Sequence, residues 1–164
     1  MAALSYRLLD DLLGAPRPRT DWVTAFAEAA RLGLARADST VRAGRAARDS
    51  ASRPSLPLER YAGRYRDELY GDADVTLDGG KLVLRFSRSP AFVGDLEHWQ
   101  YDTFIARWRT QHLEDAYVTF ALTPDGSIDR FQMAAVSPLA DFSFDFQDLL
   151  FRPAPSAPTA GRAR

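Results

Sequence analysis

ADVTLDGGKLVLRFS, residues 73–87, has the pattern of two short strands folded back on each other. Val75 and Leu77 alternate with polar neighbours, Asp78-Gly79-Gly80 supplies residues that tolerate a tight turn, and Leu82, Leu84 and Phe86 alternate again. Period-two alternation on both sides of such a turn is the signature of a β-hairpin, with one face apolar and the other wet. Working outward, YAGRYRD (61–67) places Tyr61, Gly63 and Tyr65 at period two. YVTFALTPDGSIDRFQMAAV (117–136) reads as a second hairpin, turning at Pro124-Asp125-Gly126. EHWQYDTFIARWR (97–109) reads as a strand between them. DFSFDFQDLLF (141–151) reads as a last strand, with Phe142, Phe144 and Phe146 on one side and Ser143 and Asp145 on the other. About eight hairpin-linked strands with no long helix among them predict an antiparallel sheet, closed into a barrel or folded into a sandwich.

Upstream of residue 56 the pattern changes. Leu4, Leu8 and Leu12 recur every four residues, with Leu9 and Leu13 beside them, which predicts a helix ended by Gly14 and the prolines that follow. A second helix is predicted from an N-cap at Thr20 or Asp21, with Trp22, Phe26 and Ala29/Ala30 on one face. From Arg36 to Arg53 the only large apolar side chain is Val41, so this part reads as a solvated helix or helical linker, broken by SASRPSLP (50–57). The division expected is a helical segment and linker over 1–55, a β-domain over 56–153 and a disordered tail over 154–164.

Composition narrows the chemistry. The 164 residues carry a net charge of −1, which gives no general attraction to nucleic acid, and no nucleic-acid partner is expected. Residues 1–55 hold nine arginines against six acids, while 56–152 hold ten basic residues against sixteen acids. Lys81 is the single lysine and asparagine is absent, a bias read as one of coding rather than of arginine chemistry. There is no cysteine, hence no disulfide, thiolate nucleophile or cysteine zinc site. No stretch has the roughly 20 apolar residues of a membrane-spanning helix. No signal peptide is visible in the first sixteen residues; the chain as it stands reads as cytoplasmic, or as periplasmic or secreted if it belongs to a longer exported protein.

LEHWQYDTF (96–104) concentrates the chemistry-bearing side chains. In one regular strand, Trp99, Tyr101, Thr103 and Ile105 share a face, and His98, Gln100, Asp102 and Phe104 share the other. His98 and Asp102 then stand about 13 Å apart at 3.3 Å per residue, too far for a dyad. His98 and His112 lack metal-ligand spacing, and a site joining His98 to Asp102 or Glu114 would be nonspecific; neither metal nor cofactor is expected. Gly-x-Ser-x-Gly, Ser-x-x-Lys and a phosphate loop are absent, and without asparagine so is Tyr-x-Asn. No residue is assigned a catalytic role. The binding candidates are His98, Trp99, Tyr101, Asp102, Phe104 and Trp108.

Tyr61-x-Gly63-x-Tyr65, Leu69-Tyr70-Gly71, DGGKLVLRF (78–86) and above all LEHWQYDTFIARW (96–108) resemble the DUF3471 domain, over residues 56–152. Residues 1–55 are similar to the segment that joins such a domain to the catalytic part of β-lactamase-related (class C, CubicO-like, peptidase S12-type) serine hydrolases. The resemblance implies a lipocalin-like antiparallel β-barrel and a non-catalytic accessory role, with a serine-hydrolase catalytic domain as partner in cis or in trans. A second reading is a standalone barrel binding a small apolar ligand, with Trp99, Tyr101, Trp108 and phenylalanines inside. Ten phenylalanines and three tryptophans could equally fill that interior. A third reading is an independent hydrolase.

Overall fold

The computed structural model of the protein describes residues 2–14, 16, 20–140 and 146–155. The chain divides into two compact units, residues 1–46 and 47–164.

The first unit consists of helices α1 (Ala2–Leu12) and α2, which begins at Trp22 and runs to Ala47. Asp21 caps α2: its carboxylate accepts the Val23 and Thr24 N–H groups at 3.1 and 3.3 Å and the Thr24 hydroxyl at 2.6 Å. Those bonds, the Thr24 hydroxyl foremost, hold its pKa below the ordinary carboxylate value. The helices meet through Tyr6, whose ring lies 4.8 Å from Trp22 and 5.4 Å from Phe26, and the Trp22 indole N–H donates to Asp10 at 2.6 Å. Leu4, Leu8, Leu9, Leu12 and Leu13 are all exposed. No helix among the described residues is long and apolar enough to cross a membrane.

The second unit is a closed eight-stranded barrel in which each strand pairs antiparallel with the next and β8 returns to β1. The strands are β1 (Gly63–Asp67), β2 (Gly71–Asp78), β3 (Lys81–Phe86), β4 (Val93–Gln100), β5 (Thr103–Trp108), β6 (Ala116–Leu122), β7 (Ile128–Ala135) and β8 (Leu150–Pro153). The sheet therefore closes on itself as a barrel rather than packing as a sandwich. At the β2–β3 turn, Asp78 pairs with Lys81 while Gly79 and Gly80 take φ of 55° and 81°. Two successive left-handed residues match the strand twist, which is why glycine stands at both.

Closure depends on a short β8, paired with β1 at only Tyr65–Pro153 and Arg66–Arg152. Asp67 reinforces it. One carboxylate oxygen accepts the Leu69 and Tyr70 N–H groups, each at 2.8 Å, and the other accepts Leu150 N–H at 2.9 Å. Burial pushes the Asp67 pKa up, but these three backbone donors outweigh it and leave the carboxyl below its usual range. On the outer face, Arg64 and Arg66 grip Asp74 and Asp72, their direct cross-strand partners, with two nitrogens each. Such a fork needs a guanidinium, so at these positions arginine serves a geometry that lysine could not, whatever the coding bias.

The interior is a column of aromatic rings. It runs from Tyr61 through Phe104, Phe120, Tyr65 and Phe131 to Phe151, with neighbouring centroids 4.7–6.0 Å apart. Phe86, Phe92, Trp108 and Phe146 continue it toward the far mouth. The last strand is shorter than the sequence pattern predicts: β8 begins at Leu150, and Phe146–Asp148 form a 3-10 turn. Phe146 is buried there, its ring 6.3 Å from both Phe92 and Trp108. Phe142 and Phe144 lie outside the described residues, as does the predicted tail beyond Pro155.

Gly94 on β4 makes room for this mouth. A Cβ there would sit 2.8 Å from the Trp108 ring and 3.2 Å from the Arg107 carbonyl. Gly94→Ala is expected to cost about 2 kcal/mol, since neither the packed ring nor the backbone can yield freely. Chemical denaturation against the parent protein reads this directly; an unchanged midpoint would mean that Trp108 moves aside at no cost.

Candidate functional site: the hairpin that holds the incoming chain

The 96–108 stretch is two strands, not one. β4 ends at Gln100, β5 starts at Thr103, and Tyr101-Asp102 form the turn between them. The ladder slips between His98 and Gln100, which leaves Trp99 as a bulge. His98 and Phe104 do share a face, but as cross-strand partners with rings 5.7 Å apart. The straight-strand separation of His98 and Asp102 does not apply, because the chain reverses between them. His98 is close enough to Asp102 to help lower the carboxyl's pKa.

The turn carries strain. Tyr101 has φ of 47°, a conformation uncommon outside glycine, at a cost of about 1–3 kcal/mol. Three contacts hold it there. The His98 ring N–H donates from Nε2 to the Tyr101 carbonyl at 3.0 Å, the Tyr101 N–H donates to the Ser52 hydroxyl at 3.1 Å, and its phenol donates to Asp49 at 3.0 Å. A carbonyl can only accept, so this bond places a proton on Nε2.

Ser52 and Asp49 belong to residues 48–61, the chain that leads into the barrel. Arg48 donates to the Trp99 carbonyl at 2.5 Å and the His98 carbonyl at 3.2 Å, both beside the bulge, and its guanidinium carbon lies 4.9 Å from the centre of the Trp99 ring. The Asp49 N–H donates to the Gln100 side chain at 3.0 Å. Asp102 is the hub. It accepts the Ser55 N–H at 2.8 Å, the Ser55 hydroxyl at 2.7 Å and the Tyr61 phenol. Burial raises the Tyr61 pKa and the Asp102 bond raises it further, so the phenol keeps its proton. Burial acts to raise the Asp102 pKa as well, but the bonds from Tyr61 and then Ser55 prevail and hold it below the ordinary value.

The sequence candidates thus separate. His98, Tyr101 and Asp102 converge on the turn. Trp99 packs outside, its ring 5.6 Å from Tyr117, and Tyr101 is exposed, so neither lies in the barrel as the ligand reading expects. Phe104 is interior. Trp108 lies about 13 Å farther along β5, where its indole N–H donates to the Glu114 carbonyl at 2.7 Å. Arg48, Asp49, Ser52 and Ser55 are the residues that strand periodicity misses, and it gives Tyr61 a place in a strand but no link to Asp102. Their signal was polar side chains at 49, 52 and 55 in a stretch where Pro54 and Pro57 forbid a helix.

Chemically, this arrangement fastens. Ser55 donates straight to the carboxylate, with no imidazole between them, and the His98 proton is committed to a carbonyl. A nucleophilic serine needs the base between itself and the acid, an order these three residues do not adopt. No group of three or more metal-ligating side chains occurs among the described residues.

Residues 47–153 match the family described as Domain of unknown function (DUF3471). The chain belongs to the DUF3471 family. Its match begins at residue 47, so the segment fastened by Asp102 is within the DUF3471 region. Among solved structures, the chain is similar to the crystal structure of the C-terminal domain of a penicillin binding protein, with 26% identity and a TM-score of 0.47. The alignment covers 66% of this chain and 94% of that one. No curated protein matches.

Proposed function

We propose that this DUF3471 chain is a non-catalytic accessory module of a β-lactamase-related serine hydrolase, docking on the catalytic domain and shaping substrate access or assembly. The observation that carries the reading is the leucine row of α1. Leu4, Leu8, Leu9, Leu12 and Leu13 are exposed, while Tyr6 on the same helix is spent on Trp22 and Phe26. A row of apolar side chains left in water favours a partner surface. The occupant is the hydrolase domain, because residues 1–55 resemble the segment that follows it in such enzymes. The missing Ser-x-x-Lys and Tyr-x-Asn motifs agree with chemistry performed by that partner.

The test is calorimetric titration of the chain with a β-lactamase-related serine-hydrolase domain from the same genome. Binding is expected, and Leu8→Asp should weaken it at least tenfold. Leu8 is 55% exposed, so the variant should keep the parent's circular dichroism. Absence of binding by the parent chain, or equal binding by a folded Leu8→Asp variant, would overturn the proposal.

A further inference from the structure

Two clefts at the turn end of the barrel are left over once the fastening is accounted for. β3 and β4 part beyond the Leu82–Leu96 pair, and a cleft of about 390 Å³ opens there, walled by Leu58, Leu82, Leu96, His98 and Phe104. A second, a shallow depression of about 580 Å³ lying largely open to solvent, runs along residues 53–58. Leu58 and His98 stand in the walls of both. Each volume lies within the range of about 300–1,000 Å³ common to small-molecule sites. Outside the aromatic column, these clefts set apolar wall beside open space.

The charges around the clefts are unequal. Glu97 is held by Arg107 and Asp95 by Arg109. Lys81 in the first cleft and Arg53 in the second form no ion pair among the described residues. Lys81 stands near enough to Asp95 to help keep that carboxylate ionised, and with Asp95 already gripped by Arg109 the cation keeps an ammonium free of any close ion pair. An apolar trough with such a cation on each side fits a ligand with an apolar chain and a negative head. His98 commits Nε2 to the Tyr101 carbonyl, which holds the ring in place in the cleft wall.

We propose that these clefts form one binding site for a small amphipathic carboxylate. The apolar chain lies along Leu58, Leu82 and Leu96, the carboxylate meets the Lys81 ammonium, and Arg53 adds attraction from the second cleft. This stands independently of docking by α1. It also differs from a ligand enclosed in the barrel, because the site is at the mouth beside His98.

The probe is decanoate, titrated calorimetrically below its micelle concentration into the full chain at pH 7, with decylamine for comparison. Saturable binding of one decanoate is expected, at least tenfold tighter than decylamine and at least tenfold weaker in Lys81→Gln. Amide shifts should centre on Leu58, Leu82 and His98. No saturable binding, equal binding of the amine, indifference to Lys81→Gln, or shifts centred on Phe120 and Phe131 would each overturn the proposal.

Discussion

Asp102→Ala should destabilise the barrel by about 3 kcal/mol, an unusual loss for a half-buried turn residue. The carboxylate accepts from the Tyr61 phenol and twice from Ser55. Hydrogen bonds to an ionised acceptor are worth about 1.5–3 kcal/mol each, and orphaning a buried donor costs about 1–3 kcal/mol. Ser55 is exposed and finds water, so the largest loss falls on Tyr61, which is fully buried. A double-mutant cycle isolates it. Tyr61→Phe alone removes the donor to Asp102 and also leaves the Leu56 N–H without the phenol oxygen, 3.2 Å away. In the Asp102→Ala background the same change should cost markedly less, giving a coupling energy of about 2 kcal/mol. Additivity of the two changes would show that the Tyr61–Asp102 bond contributes nothing net.

The same pair fixes a pH dependence. The Asp102 pKa is lower in the folded chain than the unfolded value of about 3.9. Its contribution is therefore fully present above that value and fades as pH falls through the folded pKa. Asp67 behaves alike. In Asp102→Ala, stability between neutral pH and about pH 4 should be uniformly lower, and the fall below pH 4 shallower than in the parent, with Asp67 still supplying part of the slope.

The legible parts of the fold were those written locally. Asp78-Gly79-Gly80-Lys81 announces its turn through two glycines, and both adopt left-handed φ. Pro124-Asp125-Gly126 does the same, with Gly126 at φ 78° and Thr123 N–H bonded to the Ser127 carbonyl. Gln100-Tyr101-Asp102-Thr103 holds no glycine, proline or asparagine, so alternation ran straight through it. What bends the chain there is supplied by Asp49, Ser52 and Ser55, some fifty positions upstream. A single sequence does not display such a partnership. Residues 48–55 looked like linker for the same reason: they bury little, and their value lies in what they bond. The phenylalanines of 141–151 misled differently, since period two is shared by a strand and by a chain that takes a 3-10 turn before pairing. Of the candidate site, His98, Tyr101 and Asp102 were found by composition, but their common task was visible only once the turn was known.

Phe131→Ala should be the most damaging single change, at about 4 kcal/mol. Phe131 is fully buried midway along the aromatic column, stacked 4.7 Å from Phe151 and edge-on to Tyr65 at 5.0 Å. It also stands opposite Phe151 in the β7–β8 ladder, which pairs at only two positions, Phe131–Phe151 and Gln132–Leu150. Truncation therefore removes transfer free energy, leaves a cavity and weakens one of the two shortest seams of the barrel together. With a urea dependence of about 2 kcal/mol per molar, the midpoint should fall by about 2 M. Phe131→Leu, which keeps most of the volume, should lose less than half as much. The variant also tests whether the interior is full. A void lined only by rings and aliphatic groups stays dry and takes up small apolar molecules. Benzene should raise the midpoint of Phe131→Ala while leaving the parent unchanged. If benzene stabilises the parent equally, the barrel already holds free space, and the aromatic column is a ligand chamber rather than a core.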